Sequence, residues 1–304
     1  MKLKEFIIQY YYPKSCAQIA QSTLNGYKST INKYILPTFG DLEMEDISVC
    51  MIEDWLNGIE KKGAAEKAYK TLRQVLRKAS DYNIFKGDDP TKKYIKVPKK
   101  KGYQPKILTA AEIDSLIKGF KGHYLESTVI CAVILGLRRG EAFGLYWEDI
   151  NFNTGQVNIN KSYQRVNGKN IYLPTKTEKS TRYCYLPSFA LERLKEIGLG
   201  KTGPICPVPS VDKRVKDYKD YCLSHNLPFT PFTNLRHSWA TLALENGADI
   251  AVIANMLGHT EVSTAYNHYL RPRESQYKEI QNKMQNSLKV KKSFLKRVKD
   301  KIKN

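Results

Sequence analysis

Two histidines and two tyrosines stand within eleven positions: His259, Tyr266, His268 and Tyr269, in the stretch NMLGHTEVSTAYNHYL. Either their rings fill a core between helices, or one phenolic hydroxyl is a nucleophile. Other stretches carry groups that could serve such a nucleophile. LGLRRGEAFGLYWEDI sets Arg138, Arg139 and Glu141 directly after an apolar run. Guanidinium groups leaving a buried helix are costly to desolvate and need an anion, which Glu141 or an external phosphate can supply. In LPTKTEKSTRYCYLP, Lys176 lies in a turn between two strands, with Lys179 and Arg182 following, which like Arg139 are candidate DNA contacts. Such an ammonium group is either simply solvated or swung into a site to protonate a leaving alkoxide. PFTNLRHSWATLALENGADI puts Arg236 and His237 at a helix start, whose amide groups favour anions. The plainer reading there is a capped helix with a partly buried histidine. His259 follows a helix ending at Gly258, where an imidazole can present a donor.

The elements that must position these groups are mostly helical. AQIAQSTLNGYKSTINKYILPTFG carries Ile19, Leu24, Tyr27, Ile31 and Ile35 at helical spacing, with Pro37 and Gly40 closing it. SVCMIEDWLNGIEKKG repeats the pattern up to Gly63. AAEKAYKTLRQVLRKASDYNIF turns Tyr69, Leu72, Val75, Leu76 and Ala79 inward and leaves Lys67, Lys70, Arg73, Arg77 and Lys78 on the other side. A stripe of that kind is a solvated face or a set of phosphate contacts. KGDDPTKKYIKVPKKKGYQPK has three prolines, no helical period and a lysine cluster that includes Lys99, Lys100 and Lys101. It reads as a linker able to lie along a phosphate backbone. A capping box, Thr109 to Glu112, then opens a second domain. STVICAVILGL must be a buried helix. GQVNIN, YQRVNGKNIYLP with its Asn167-Gly168 turn, and TRYCYLP are strand signals, and helices resume after them. The expected fold is therefore mainly α with a small antiparallel β-sheet, an α+β arrangement. Its parts are a helical amino-terminal domain over 1–88, a basic linker over 89–106, a second domain over 107–280 and a basic amphipathic tail over 281–304. In that tail Phe294, Leu295, Val298 and Ile302 share one side, the general pattern of a helix that lies on a membrane surface.

The bulk properties narrow the partners. A chain of 304 residues is long enough for two cores, and its net charge of +20 is costly to a compact domain unless a polyanion neutralises it. Nucleic acid is the usual polyanion. No uncharged apolar stretch reaches the ~18 residues of a membrane span, and the start lacks the pattern of a secretory signal. Six cysteines lie far apart, with no CxxC and no histidine at zinc spacing, so neither a metal site nor a disulfide framework is expected. The cytoplasm fits, in association with the nucleoid.

Taken in order, Arg138 with Glu141, a hairpin Lys176, Arg236-His237, Leu257-Gly258-His259 and a tyrosine ten residues later resemble the tyrosine recombinases, the family that includes the phage integrases. The resemblance covers 108 to about 275 and extends more loosely to YILPTFGDLEMEDIS, which looks like the family's core-binding domain. It implies a helical core-binding domain joined to a tyrosine-recombinase catalytic domain. It further implies that Arg138 and Arg236 clamp the scissile phosphate, that Lys176 protonates the departing 5′ hydroxyl with Lys179 as runner-up, and that His259 donates to a phosphate oxygen. Tyr269, after Ser263-Thr264, takes the nucleophile's place, with Tyr266 as the alternative. Glu141 would orient its neighbours, and the 281–304 tail would pack on a neighbouring protomer or on DNA rather than on a membrane. Where the family commonly has a histidine, this chain has Thr233, which can donate to phosphate but is no base near neutral pH. His237, His268, water or the phosphate would then take the phenolic proton.

The implied reaction is site-specific recombination through a 3′-phosphotyrosyl intermediate and a Holliday junction, with no metal, ATP or other cofactor. Its implied partners are double-stranded DNA attachment sites, a homotetramer on that DNA, and a directionality factor or DNA-bending protein, with no membrane. The mobile element encoding it would be bacterial or phage. Two rival outcomes remain: a DNA-binding regulator of this fold that lost the reaction, and a type IB topoisomerase-like enzyme.

Overall fold

The computed structural model describes residues 1–15, 17, 19–98, 105–175 and 180–258. Lys99, Lys100, Lys101, Lys176, Lys179, His259, Tyr266, His268, Tyr269 and the 281–304 tail lie outside the described residues. The chain divides into two compact units, with the main boundary between Gln104 and Pro105.

The first unit is helical: α1 (Leu3–Phe6), α2 (Gln21–Thr30), α3 (Leu36–Phe39), α4 (Val49–Asn57) and α5 (Lys62–Asp81). Wider π-helical turns over Ile7–Ser15 and Ile31–Ile35 follow α1 and α2. Pro37 does not stop the second helical run, which continues to Phe39. The proline sits in the first turn of α3, where a missing N–H costs least. Ser48 caps α4 by accepting from the Met51 amide at 3.3 Å. In α5 the residues Ala65, Ala68, Leu72, Val75, Leu76 and Ala79 are fully buried against Leu3, Phe6, Ile31, Ile35, Phe39 and Leu56. Lys67, Lys70, Arg73 and Arg77 are exposed on the opposite face.

The expected linker begins as part of this unit. Ile95 is buried in the same core and Val97 packs on it. Asp89 accepts from the Thr91 amide at 2.9 Å, and the Tyr69 hydroxyl donates to the Thr91 carbonyl at 3.4 Å. Prolines deny this segment an α-helix, but Ile95 and Val97 still join the first core and Tyr69 of α5 reaches the Thr91 carbonyl.

The second unit opens with α6 (Ala110–Gly119), where the capping box forms in both directions: the Glu112 amide donates to Thr109 Oγ1 at 3.2 Å, and the Thr109 amide donates to Glu112 Oε2 at 2.8 Å. Almost every side chain of α7 (Glu126–Leu135) is buried, as its apolar run required. Gly136 ends it at φ 61°, a left-handed conformation in which a Cβ would also meet Leu257 and Trp239 at 2.8 Å. The short α8 (Arg139–Gly144) follows at once.

Four strands come next: β1 (Gln156–Ile159), β2 (Lys161–Val166), β3 (Lys169–Pro174) and β4 (Arg182–Tyr185). Asn167 and Gly168 both take positive φ, 50° and 78°, as the tight turn between β2 and β3 demands. Among the described residues the strands make two two-stranded sheets rather than one, because β4 returns to pair antiparallel with β1, Ile159 opposite Arg182. Helices α9 (Ser188–Gly198), α10 (Val211–Ser224), α11 (Leu235–Glu245) and α12 (Ile250–Leu257) complete the unit. Its main core joins Leu116, Phe120, Val129, Phe143, Val157, Leu194, Tyr218 and Leu235. A separate small cluster of Ala240, Ile253, Ala254 and Leu257, with Trp239 against it, holds α12 to α11.

Candidate active site

Glu141 is the hub of the site. It lies in the first turn of α8, 3% exposed, and its carboxylate accepts from the Arg138 amide at 2.9 Å and from Arg138 Nη1 at 2.7 Å. Arg182 Nη2, from β4, reaches its Oε2 at 3.0 Å, and Arg236 Nη1, from the first turn of α11, lies 3.9 Å from the same oxygen. Residues far apart in sequence thus gather three guanidinium groups round one carboxylate. Burial alone would push the Glu141 carboxyl up, but Arg182 and then Arg138 outweigh it and hold the group below the ordinary carboxylate range.

The same arginines also meet the end of α12. Arg182 Nε donates to the Met256 carbonyl at 2.7 Å, Arg236 Nη2 to Leu257 at 2.7 Å, and Arg138 Nη2 to Gly258 at 2.9 Å. The last carbonyls of a helix have no intrahelical donor and carry its negative dipole end, so cations suit them. Arg236 Nη1 further donates to the Gly136 carbonyl at 3.1 Å, tying the end of α7 to the same place. The side chains of Arg182 and Arg236 are each 8% exposed, whereas that of Arg138 is 40% exposed. The cluster holds more positive than negative charge, and Arg138 is its open side. Chemically it is a cluster of guanidinium donors of the kind that can bind an anion. Cys184 is buried beside it, and burial raises its thiol pKa, which makes it a poor nucleophile.

Of the residues singled out from sequence, Arg138, Glu141, Arg236 and Arg182 come together here. Thr233 and Arg139 are exposed and share the lining of one recess with Lys219, Phe229 and Phe232. His237, on α11, is half-buried. Lys67, Lys70, Arg73 and Arg77 belong to the other unit.

Arg182, a candidate DNA contact from sequence, has its guanidinium turned inward onto Glu141, Met256 and the Ser180 carbonyl, the last at 3.1 Å. The strand alternation held the signal: in RYCY, Arg182 shares the inward face with buried Cys184, while Tyr183 and Tyr185 point out.

The known proteins that resemble this chain are integrases and tyrosine recombinases. The model of the phage integrase N-terminal SAM-like domain matches residues 2–59, and that of the phage integrase family matches residues 209–276. A tyrosine recombinase XerC-like protein of Caldanaerobacter subterraneus subsp. tengcongensis is 24% identical over 75% of this chain and 68% of its own length. Among solved structures, the Tn1549 transposon integrase in complex with a circular intermediate DNA superposes with a TM-score of 0.76 at 14% identity. That match covers 93% of this chain and 99% of the other. A lambda integrase tetramer bound to a Holliday junction gives 0.65 at 23% identity, covering 90% of this chain and 80% of the other. The chain thus carries stretches that match phage integrase N-terminal and catalytic domains, its curated relatives are named tyrosine recombinases, and together these matches support a site-specific recombinase that breaks and rejoins DNA.

Proposed function

We propose that this chain recombines double-stranded DNA at the attachment sites of the mobile element that encodes it, with Tyr269 as nucleophile. The phenolic oxygen of Tyr269 attacks the scissile phosphorus, the bond from phosphorus to O5′ breaks, and Lys176 gives a proton to the departing 5′ oxygen, which leaves as a hydroxyl. The product is a 3′-phosphotyrosyl link, which preserves the phosphoester for a later 5′ hydroxyl to reclaim, so the cycle consumes no ATP and calls for no metal. Arg138 and Arg236 hold the non-bridging oxygens as charge grows on them, with His259 and Thr233 as further donors. The phenolic proton passes to His237, His268, water or the phosphate.

The observation that supports this most is the convergence of Arg138 and Arg236 on Glu141, with a carbonyl of each of the two residues before His259 among their acceptors. The helical amino-terminal unit, with Lys67, Lys70, Arg73 and Arg77 exposed along α5, serves as the core-binding half. Lys99 to Lys101, Arg139 and Lys179 supply further backbone contacts. Four copies act on two sites through a Holliday junction, with a directionality factor or DNA-bending protein setting the outcome, in the cytoplasm at the nucleoid. Among the described residues no helix is long and apolar enough to cross a membrane.

A duplex carrying an end of the element and a nick beside the cleavage point tests the reading, since the short fragment diffuses away and traps the adduct. Wild type should accumulate a covalent complex and Tyr269→Phe none. A protein that binds this duplex with steep salt dependence and forms no adduct would be a regulator instead. One that relaxes supercoiled plasmid of any sequence as a monomer would be topoisomerase-like.

A further inference from the structure

We propose that Arg182 is a positioning residue that fastens the end of α12 to the phosphate clamp, acting through Glu141 and the Met256 carbonyl without touching DNA. The inference rests on the recombinase reading above. Three successive residues, Met256, Leu257 and Gly258, each give a carbonyl to a different arginine, in the order Arg182, Arg236, Arg138. These are the last residues before His259, one peptide bond away.

When a phosphate enters, Arg138 and Arg236 must turn donors toward it, which loosens their hold on Leu257, Gly258 and Glu141. Arg182 has no such second duty. Its side chain is 8% exposed, and Nε, Nη1 and Nη2 are engaged by Met256, Ser180 and Glu141. It is also the best anchored, standing on β4 opposite Ile159 in the β1 pairing and two residues before buried Cys184. Arg182 therefore keeps Glu141 charged and α12 in place while the other two arginines engage substrate. A lysine there could reach one of these acceptors but not all three, because its donors share one atom.

The experiment compares full-length wild type, Arg182→Met and Arg182→Lys in two measurements: affinity for an intact duplex, and the single-turnover rate of adduct formation at saturating protein on the nicked duplex, across pH. Arg182→Met should bind DNA within about twofold of wild type while its adduct rate falls on the order of 100-fold, the scale of one lost catalytic alignment. Arg182→Lys should recover part of that rate.

The pH profile supplies a readout that a merely structural role would not move. Arg138, Arg182 and Arg236 face Glu141 among the described residues, with the Cys184 thiol beside them. Losing Arg182 lets Glu141 take a proton more easily, so the acid limb should move to higher pH. Cys184 would be pushed further up and stay protonated. Adding Glu141→Gln to Arg182→Met should cost little beyond either change alone, since both cut one linkage.

Loss of DNA affinity with an unchanged saturated rate would make Arg182 a DNA contact and overturn the proposal. So would a slower rate with an unmoved acid limb and no recovery in Arg182→Lys. An absent adduct in wild type would instead overturn the recombinase reading itself.

Discussion

Glu141 joins the sequence to the chemistry at the level of single residues. Its pairing with Arg138 was legible, because the two stand three apart at a helix start and each can satisfy the other's backbone or side chain. Its other two arginines were not legible as partners. They stand 41 and 95 positions downstream, and only the return of β4 to β1 and the docking of α11 on α7 bring them in. The cluster predicts an acid-sensitive protein. The folded pKa of Glu141 lies below its unfolded value, so its stabilising effect is present above the ordinary carboxylate range and is lost as pH falls through the depressed folded value. Urea denaturation at falling pH should show this loss, and Glu141→Gln should flatten the slope. At neutral pH, Glu141→Leu should cost about 3–5 kcal/mol, the usual penalty for leaving buried cations without their carboxylate.

The elements follow their local signals where those signals are regular. The Thr109–Glu112 box, the largely apolar α7 and the Asn167-Gly168 turn each form as their residues require. What escaped the sequence were features decided by tertiary packing: the π-helical turns, the passage of a helix through Pro37, the division of the strands into two pairs, and the folding of Ile95 and Val97 onto the first core. Thr109→Ala should lower stability by about 1 kcal/mol in a denaturant titration, the ordinary value of an N-cap. Gly136→Ala should cost more, because it forces a Cβ into a left-handed turn and against Trp239 and Leu257. Its damage should concentrate in the small α11–α12 cluster, visible as faster hydrogen exchange at Ile253 and Ala254 than in the main core. Unchanged exchange there would argue against α7 as the support of α12.

For the molecule as a whole, charge is the dominant fact. An excess of +20 was readable at once, and it explains why nucleic acid was the expected partner. Which basic residues face DNA was harder to read, since a guanidinium on a strand can turn inward, as Arg182 does, or outward. The exposed stripe on α5 should behave as phosphate contacts: replacing Lys67, Lys70, Arg73 or Arg77 by alanine should each lower the salt slope of DNA binding by about one, nearly independent of sequence. Titrations of duplex at several salt concentrations check this, and an unchanged slope would assign the stripe to solvent. The central claim is that the arginine cluster presents a phosphodiester to the hydroxyl of Tyr269. Its most direct measurement is covalent capture of the nicked duplex by three proteins side by side, wild type, Tyr269→Phe and Tyr266→Phe. Adducts in the first and third and none in the second are the predicted result. Capture that survives Tyr269→Phe, or disappears only in Tyr266→Phe, would contradict it.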